Sequence, residues 1–279
     1  MRLGAVSFLN ARPLTQSLEA VGDGSWSFSY ALPSVCAADL RAGRIDLGLI
    51  PSIEYALSPE PYALVPDIAI GCRGEVLTVR LFYRGELEGM RTVAVDTSSR
   101  TSVALLRVIL AEKYGLAPEL FPAPPDLEAM LHQADAALLI GDPVLPLVEA
   151  RGWEERTGRR SLDLGREWRE LTGLPFVFAF WAGRLGAAGP AEVERLQRAR
   201  REGQARIPAI AARFQHERAG SASLYERYLT EHIRYDLGDE ELAGLAEFYG
   251  RARRCGIIPA EPEVRFFPHE APSETVAAG

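Results

Sequence analysis

An apolar run opens the chain almost at once. Leu3-Gly-Ala-Val6 leads through Ser7, Phe8 and Leu9 to Asn10, Arg12 and Pro13. This pattern predicts a buried strand that delivers polar side chains at its C-terminal end, where ligands bind in open α/β sheets. Pro13 opens a helix to about Glu19, a position where its missing N–H costs nothing and the following free N–H groups favour an anion. Ser25–Tyr30 alternates as a strand does, and Pro33 starts a helix that ends at Gly43. Asp46–Ile50 reads as a buried strand closed by Pro51, with Ser52 and Glu54 just beyond, and a further apolar run covers Tyr62 to Ile70.

The pattern then repeats in kind. Leu77–Tyr83 alternates, Gly85 and Gly89 punctuate the chain, and Thr92–Val95 reads as a strand before the loop Asp96-Thr-Ser-Ser99. A helix over Arg100–Tyr114 follows, with Gly115 as its C-cap. Pro122–Pro125 links to a short helix, Asp126–His132, and then to the buried strand Ala136–Ile140, closed by Gly141-Asp142-Pro143. Each half thus has a strand, a polar loop and a helix, and later an acidic residue, an apolar strand and a proline. That is the signature of two similar α/β lobes. Residues 152–172 read as a polar, solvated stretch, and Leu174–Trp181 is the most apolar strand of the chain. With Leu77–Tyr83 it is expected to cross between lobes, Gly85 and Gly89 permitting hinge motion. The first lobe would be 1–84 plus 180–279, the second 85–179.

From Pro190 the pattern is helical: a long helix over Glu192–Arg213, a shorter one over Leu224–Ile233, and Glu240–Arg254 with Leu242, Leu245, Ala246 and Tyr249 on one face. A Pro-, Ser- and Ala-rich tail from about His269 is expected to be frayed. The expectation is an α/β, two-lobed, type II periplasmic-binding-protein-like fold with its ligand in the interlobe cleft.

Composition narrows the function. The 279 residues carry 31 basic and 38 acidic side chains, a net charge of −7. No basic stripe with interleaved aromatics marks a nucleic-acid surface. No apolar run reaches the roughly 20 residues that span a bilayer, and no signal-peptide pattern opens the chain. Cys36, Cys72 and Cys255 are odd in number and far apart, so they read as free thiols rather than a disulfide framework or metal cluster. A cytoplasmic protein that needs neither metal nor cofactor is the expectation. The sequence carries no signal of oligomeric state.

Two segments resemble a known family. Gly4-Ala-Val-Ser-Phe-Leu-Asn-Ala-Arg-Pro-Leu14 and Ala42-Gly-Arg-Ile-Asp-Leu-Gly-Leu-Ile-Pro-Ser-Ile-Glu-Tyr55 look like the two N-terminal motifs of the chorismate dehydratases of the futalosine route to menaquinone. The loop at 97–102 and the strand at 174–181 also fit, and the resemblance runs to about residue 260. The sister enzyme of that route, the 1,4-dihydroxy-6-naphthoate synthase, shares the fold but has a Pro-Cys-Pro-Asn-Asp-like run where this chain has Phe8-Leu-Asn-Ala-Arg12. The resemblance implies elimination of water from chorismate, a dianion, to give 3-[(1-carboxyvinyl)oxy]benzoate, with no cofactor or metal. A solute-binding protein of the same fold, without catalysis, is the reading from another class; the cytoplasmic start argues against it.

A dianion held by an acidic protein needs local donors. Ser98, Ser99, Thr101 and Ser102 gather hydroxyls and N–H groups at a helix N-terminus, though a plain N-cap would also look like this. Asn10 is the expected catalytic residue: its amide could donate to the leaving hydroxyl, and the family resemblance favours this over a turn-forming role. Arg12 could pair with a carboxylate or be solvated. Thr78 sits on an expected crossing strand, facing either the cleft or a neighbouring strand. Ser52 follows a strand end, and Glu54 beside it is awkward near a dianion and reads as structural. Asp142 could face the cleft as a base or simply form a turn. His132, His216, His232 and His269 fall away from strand ends. With no obvious protein base, a carboxylate of the substrate itself is a candidate proton acceptor.

Overall fold

The computed structural model describes residues 1–20, 24–149, 157–218 and 220–269. The apolar runs become two sheets. In the first, β1 (Arg2–Val6) pairs in parallel with β2 (Ser27–Ala31) and β3 (Leu47–Pro51). β4 (Tyr62–Leu64), β5 (Ile70–Cys72) and β3 all pair antiparallel with β11 (Phe176–Arg184). The second sheet holds β6 (Val79–Arg84), β7 (Thr92–Val95), β8 (Glu119–Pro122), β9 (Ala136–Ile140) and β10 (Arg159–Asp163) in the order β10-β6-β9-β7-β8. β7 runs parallel to β8 and β9, and β6 runs antiparallel to β9 and β10. The series β2-β1-β3-β11 and β8-β7-β9-β6 are therefore the same arrangement built twice. Every residue of β3 and β9 is buried, as expected of strands covered on both faces.

Strand pairing moves the expected lobe boundaries. Leu77–Tyr83 and Leu174–Trp181 do not span the lobes: β6 lies wholly in the second sheet and β11 wholly in the first. The chain crosses at 73–78 and 164–175, and Gly85 sits at the far end of β6, away from both crossings. An apolar strand signals burial on both faces, and its pairing partner is decided over long range.

Helices cover both sheets: α1 (Arg12–Ala20), α2 (Pro33–Arg41), α3 (Ser52–Ala56), α4 (Arg100–Tyr114), α5 (Leu127–Gln133), α6 (Leu145–Glu149) and α7 (Leu164–Thr172). Gly115 ends α4 in the left-handed conformation at φ 66°. Helix α7 and β10 occupy the stretch expected to be irregular and solvated, whose residues 152–156 lie outside the described ones. Leu164, Glu167 and Trp168 recur at helical spacing and are buried. Trp168 packs edge-on against Phe176, 5.3 Å between ring centres, and donates its indole N–H to the Pro175 carbonyl at 3.0 Å. The charges around Trp168 mask this stripe in the sequence.

The C-terminal region packs mainly on the first lobe. The long helix expected over Glu192–Arg213 is two helices, α8 (Pro190–Ala205) and α9 (Ile207–Glu217), because Pro208 has no N–H to continue the ladder. α10 (Ala222–Arg227) runs into a π-type turn, Tyr228–His232, and α11 (Asp239–Arg254) closes the fold. α11 buries Gly244, Leu245, Phe248, Tyr249 and Ala252, while Ala246, expected on that face, is exposed. The expected frayed tail falls almost wholly outside the described residues. One apolar core joins both lobes, from Leu3 and Leu49 through Trp168 and Phe176 to Val95 and Leu106; a smaller cluster around Phe82, Met130 and Leu139 backs the second sheet.

Candidate functional site

Both sets of parallel strands end at one place. β1 ends at Val6 and the chain turns through a 3₁₀ turn at Leu9–Ala11, which carries Asn10. β9 ends at Ile140 and Gly141. Between these ends lies a narrow cavity of about 50 Å³. Val6, Ile70, Val79, Ile140, Phe178 and Ile233 give it apolar faces, and Asn10, Thr78, Ser99 and Ser102 are its polar side chains. None of its lining residues is charged. The lining, apolar with a few placed polar groups, suits a small ring-bearing ligand.

Helix α4 points its N-terminus at this cavity through Ser99, its N-cap. Ser99 makes no side-chain cap bond and instead accepts from the Ser102 hydroxyl at 3.2 Å. The first N–H groups of this 15-residue helix therefore stay open to a ligand carboxylate, with the positive end of the helix dipole behind them. Ser98 lies one step outward. It lines a groove with Phe8, Ser34, Thr97 and Pro143, and its buried hydroxyl has no partner among the described residues.

Asn10 is tethered on two sides. Its side-chain Nδ2 donates to the Tyr228 hydroxyl at 3.2 Å, and its carbonyl accepts from the Tyr235 hydroxyl at 2.9 Å. Tyr228 is also 2.9 Å from the Thr78 hydroxyl. Burial pushes the pKa of both tyrosines upward, so they are neutral hydrogen-bonding groups.

The remaining expected residues take up other work. Asp142 faces the first lobe but does not line the cavity: its carboxylate receives the Leu9 N–H at 3.0 and 3.2 Å, bridging the lobes. Burial, partly offset by that bond and by Arg12 and Arg218, pushes its pKa up to about 6. Arg12 turns away from the cavity to pair with Glu217 at 2.5 Å, its guanidinium 4.6 Å from the Phe214 ring centre. Ser52 and Thr101 are buried at the junction of the lobes. Thr101 accepts the Ile53 N–H at 3.1 Å and lies 3.4 Å from the Ser52 hydroxyl, which donates to the Val177 carbonyl at 2.8 Å. Glu54 is structural, as expected, paired with Arg41 at 2.7 Å and Arg100 at 2.8 Å. Of the histidines, His232 lies beside the cavity residue Ile233, with its Nδ1 3.0 Å from the Glu75 carbonyl.

Sequence reasoning thus placed Asn10, Thr78, Ser99 and Ser102 in the cavity. It missed Tyr228, one of nine tyrosines, which no local pattern singles out. It also missed Phe8, whose ring lies where a Cβ on Gly141 would meet it at 3.0 Å. Gly141 holds a left-handed φ of 77°, so a glycine is needed there twice over.

A family model described as menaquinone biosynthesis matches residues 1–254. A chorismate dehydratase of Thermus thermophilus is 33% identical over 257 residues, covering 88% of this chain and 93% of the relative. A chorismate dehydratase of Campylobacter jejuni is 28% identical over 184 residues, covering 64% of this chain and 66% of its own length. Among solved structures, a protein of Archaeoglobus fulgidus superposes with a TM-score of 0.74 at 19% identity, over 92% of this chain and 98% of its own. The periplasmic aliphatic sulphonate binding protein of Escherichia coli superposes with a TM-score of 0.65 at 18% identity, over 97% and 92%. These structural likenesses establish the two-lobed periplasmic-binding-protein fold.

Proposed function

The chain belongs to the menaquinone biosynthesis family, and from that premise we propose that it is a hydro-lyase that converts chorismate to 3-[(1-carboxyvinyl)oxy]benzoate. The observation that carries this reading is Asn10, held by two tyrosines in an uncharged interlobe cavity beside an open helix N-terminus. Three free cysteines suit a reducing, cytoplasmic setting for the reaction.

The reaction breaks the bond from a ring carbon to its hydroxyl and the C–H bond of a neighbouring ring carbon. The C–H electron pair enters the ring, which becomes aromatic, and hydroxide leaves as water with the proton lost from that C–H bond. In this reading the Asn10 amide donates to the departing hydroxyl oxygen as negative charge grows there. Ser99, Ser102 and the first N–H groups of α4 hold one carboxylate of the dianion. The apolar faces from Val6, Ile70, Ile140 and Phe178 flatten against the ring. No cavity-lining side chain is an ordinary base, so the enolpyruvyl carboxylate of the substrate takes the ring proton and the protein supplies position. An analogue lacking that carboxylate should bind but fail to eliminate; normal turnover would rule out substrate assistance.

The test of the activity is incubation with chorismate while following the appearance of the aromatic product. Asn10→Ala should fold and lose turnover by about 100-fold or more, the usual cost of removing a donor aimed at developing negative charge. A wild-type protein that leaves chorismate untouched would overturn the proposal, and unchanged turnover in Asn10→Ala would remove that residue from its role.

A further inference from the structure

The polar end of the cavity is built on a strained turn. Leu77, a bulky residue, holds φ at 64°, a left-handed conformation that is strained and persists only where the surroundings hold it. Here the buried Asp163 does so. Its carboxylate accepts from Val76 N–H at 2.9 Å and Leu77 N–H at 2.8 Å, and also caps α7 through Gly165 at 3.0 Å and Arg166 at 3.1 Å. The next residue is Thr78. Its carbonyl accepts the Gly141 N–H at 2.7 Å and its hydroxyl faces Tyr228.

Tyr228 is fully buried and does not line the cavity. It lies in the π-type turn after α10, an irregularity often found at functional sites. A phenol has one hydrogen to give. Its oxygen accepts from Asn10 Nδ2, and it shares a second hydrogen bond with the Thr78 hydroxyl, 2.9 Å away. The Thr78 hydroxyl in turn reaches back to the Val76 carbonyl at 3.5 Å. The Tyr228 hydroxyl thus links the Asn10 amide to Thr78.

We propose that Tyr228 is a positioning residue: by taking one amide hydrogen of Asn10 it fixes the amide plane, so that the second N–H and the carbonyl oxygen meet the ligand in a single orientation. Without it the amide could rotate or flip, and Asn10 would point its donor at the leaving oxygen only part of the time. The role deepens the dehydratase reading and rests on it.

The test compares the full-length wild type with Tyr228→Phe, which keeps the ring in its packing and removes only the hydroxyl, and with Thr78→Val. Tyr228→Phe should lower kcat by about tenfold or more while KM for chorismate moves less than about threefold, because α4 and the apolar walls still hold the substrate; Thr78→Val, which also takes a hydroxyl out of the cavity, should move KM as well. In the Asn10→Ala background, Tyr228→Phe should cost almost nothing further, since the group it positions is gone. A Tyr228→Phe enzyme with kcat within twofold of wild type overturns the inference. So does a loss that appears in KM alone, or one that recurs undiminished in the Asn10→Ala background. Melting temperatures measured alongside decide whether a loss is one of folding, and a kcat loss that tracks a collapse of the fold also counts against it. Absence of chorismate turnover in the wild type would instead sink the dehydratase reading, so the two failures are distinct.

Discussion

Asp142 is the residue whose chemistry departs most from its sequence appearance. In Gly141-Asp142-Pro143 it reads as a turn former, yet it joins the two lobes through the Leu9 N–H. Burial favours its neutral form and pushes its pKa from the ordinary 3.8 up to about 6. Folding therefore favours protonation. The stability this contributes is fully present below roughly pH 4 and is lost as pH rises through about 6. Asp142→Asn is neutral throughout and should lack this dependence. Melting curves from pH 4 to 7 should show the wild type losing ground to the variant as pH rises; parallel curves would mean that the carboxyl titrates normally. The same residue shows what the sequence could carry. Strand ends and a helix N-terminus placed Asp142, Asn10, Ser99 and Ser102 near one cleft, because they need only local patterns, whereas Thr78 was reached from an expected crossing strand that β6 does not form. Local patterns could not separate lining residues from latches. Arg12 is drawn off by Glu217 and Thr101 by Ile53, partners 205 and 48 positions away, and such contacts leave no mark on local periodicity.

At the scale of elements, the legible ones were those whose burial is uniform or whose ends are marked. β3 and β9 announce themselves as unbroken apolar runs, and α4 by the glycine at its end. α7 was not legible because its apolar stripe is short and set among charges. The pairing of α1 with α8 was equally hidden, although a single glycine decides it. A Cβ on Gly203 would lie 1.8 Å from the Pro13 carbonyl oxygen and 2.5 Å from its carbon. These are backbone atoms that cannot turn aside, and α1 follows directly on the turn carrying Asn10. Gly203→Ala should force the helices apart and cost about 3 kcal/mol. Urea titration should show a lower midpoint with an unchanged slope; an unaltered midpoint would mean that α8 slides freely on α1.

At the scale of the molecule, the two lobes act as one body around the cavity. They share a continuous core. Around the cleft they are further tied by Asp142 to Leu9, Thr101 to Ile53, Ser98 carbonyl to Ser34 N–H at 3.1 Å, and Arg100 to Glu54. Arg251 of α11 reaches Glu112 of α4 in the same sense. A ligand in the cavity touches both lobes, through Asn10 and Phe178 on one side and Thr78, Ser99 and Ser102 on the other. Its binding energy therefore adds to the stability of the whole chain rather than of one lobe. The aromatic product is the right probe, because the enzyme does not consume it in the forward direction. At a hundred times its dissociation constant it should stabilise the fold by about 2.7 kcal/mol, which for a chain of this size raises Tm by roughly 4–5 °C. Calorimetry should show one transition that moves upward as a unit. Two transitions, of which only one moves, would mean that the shared core does not couple the lobes, and no shift at all would mean that the cavity does not take this ligand.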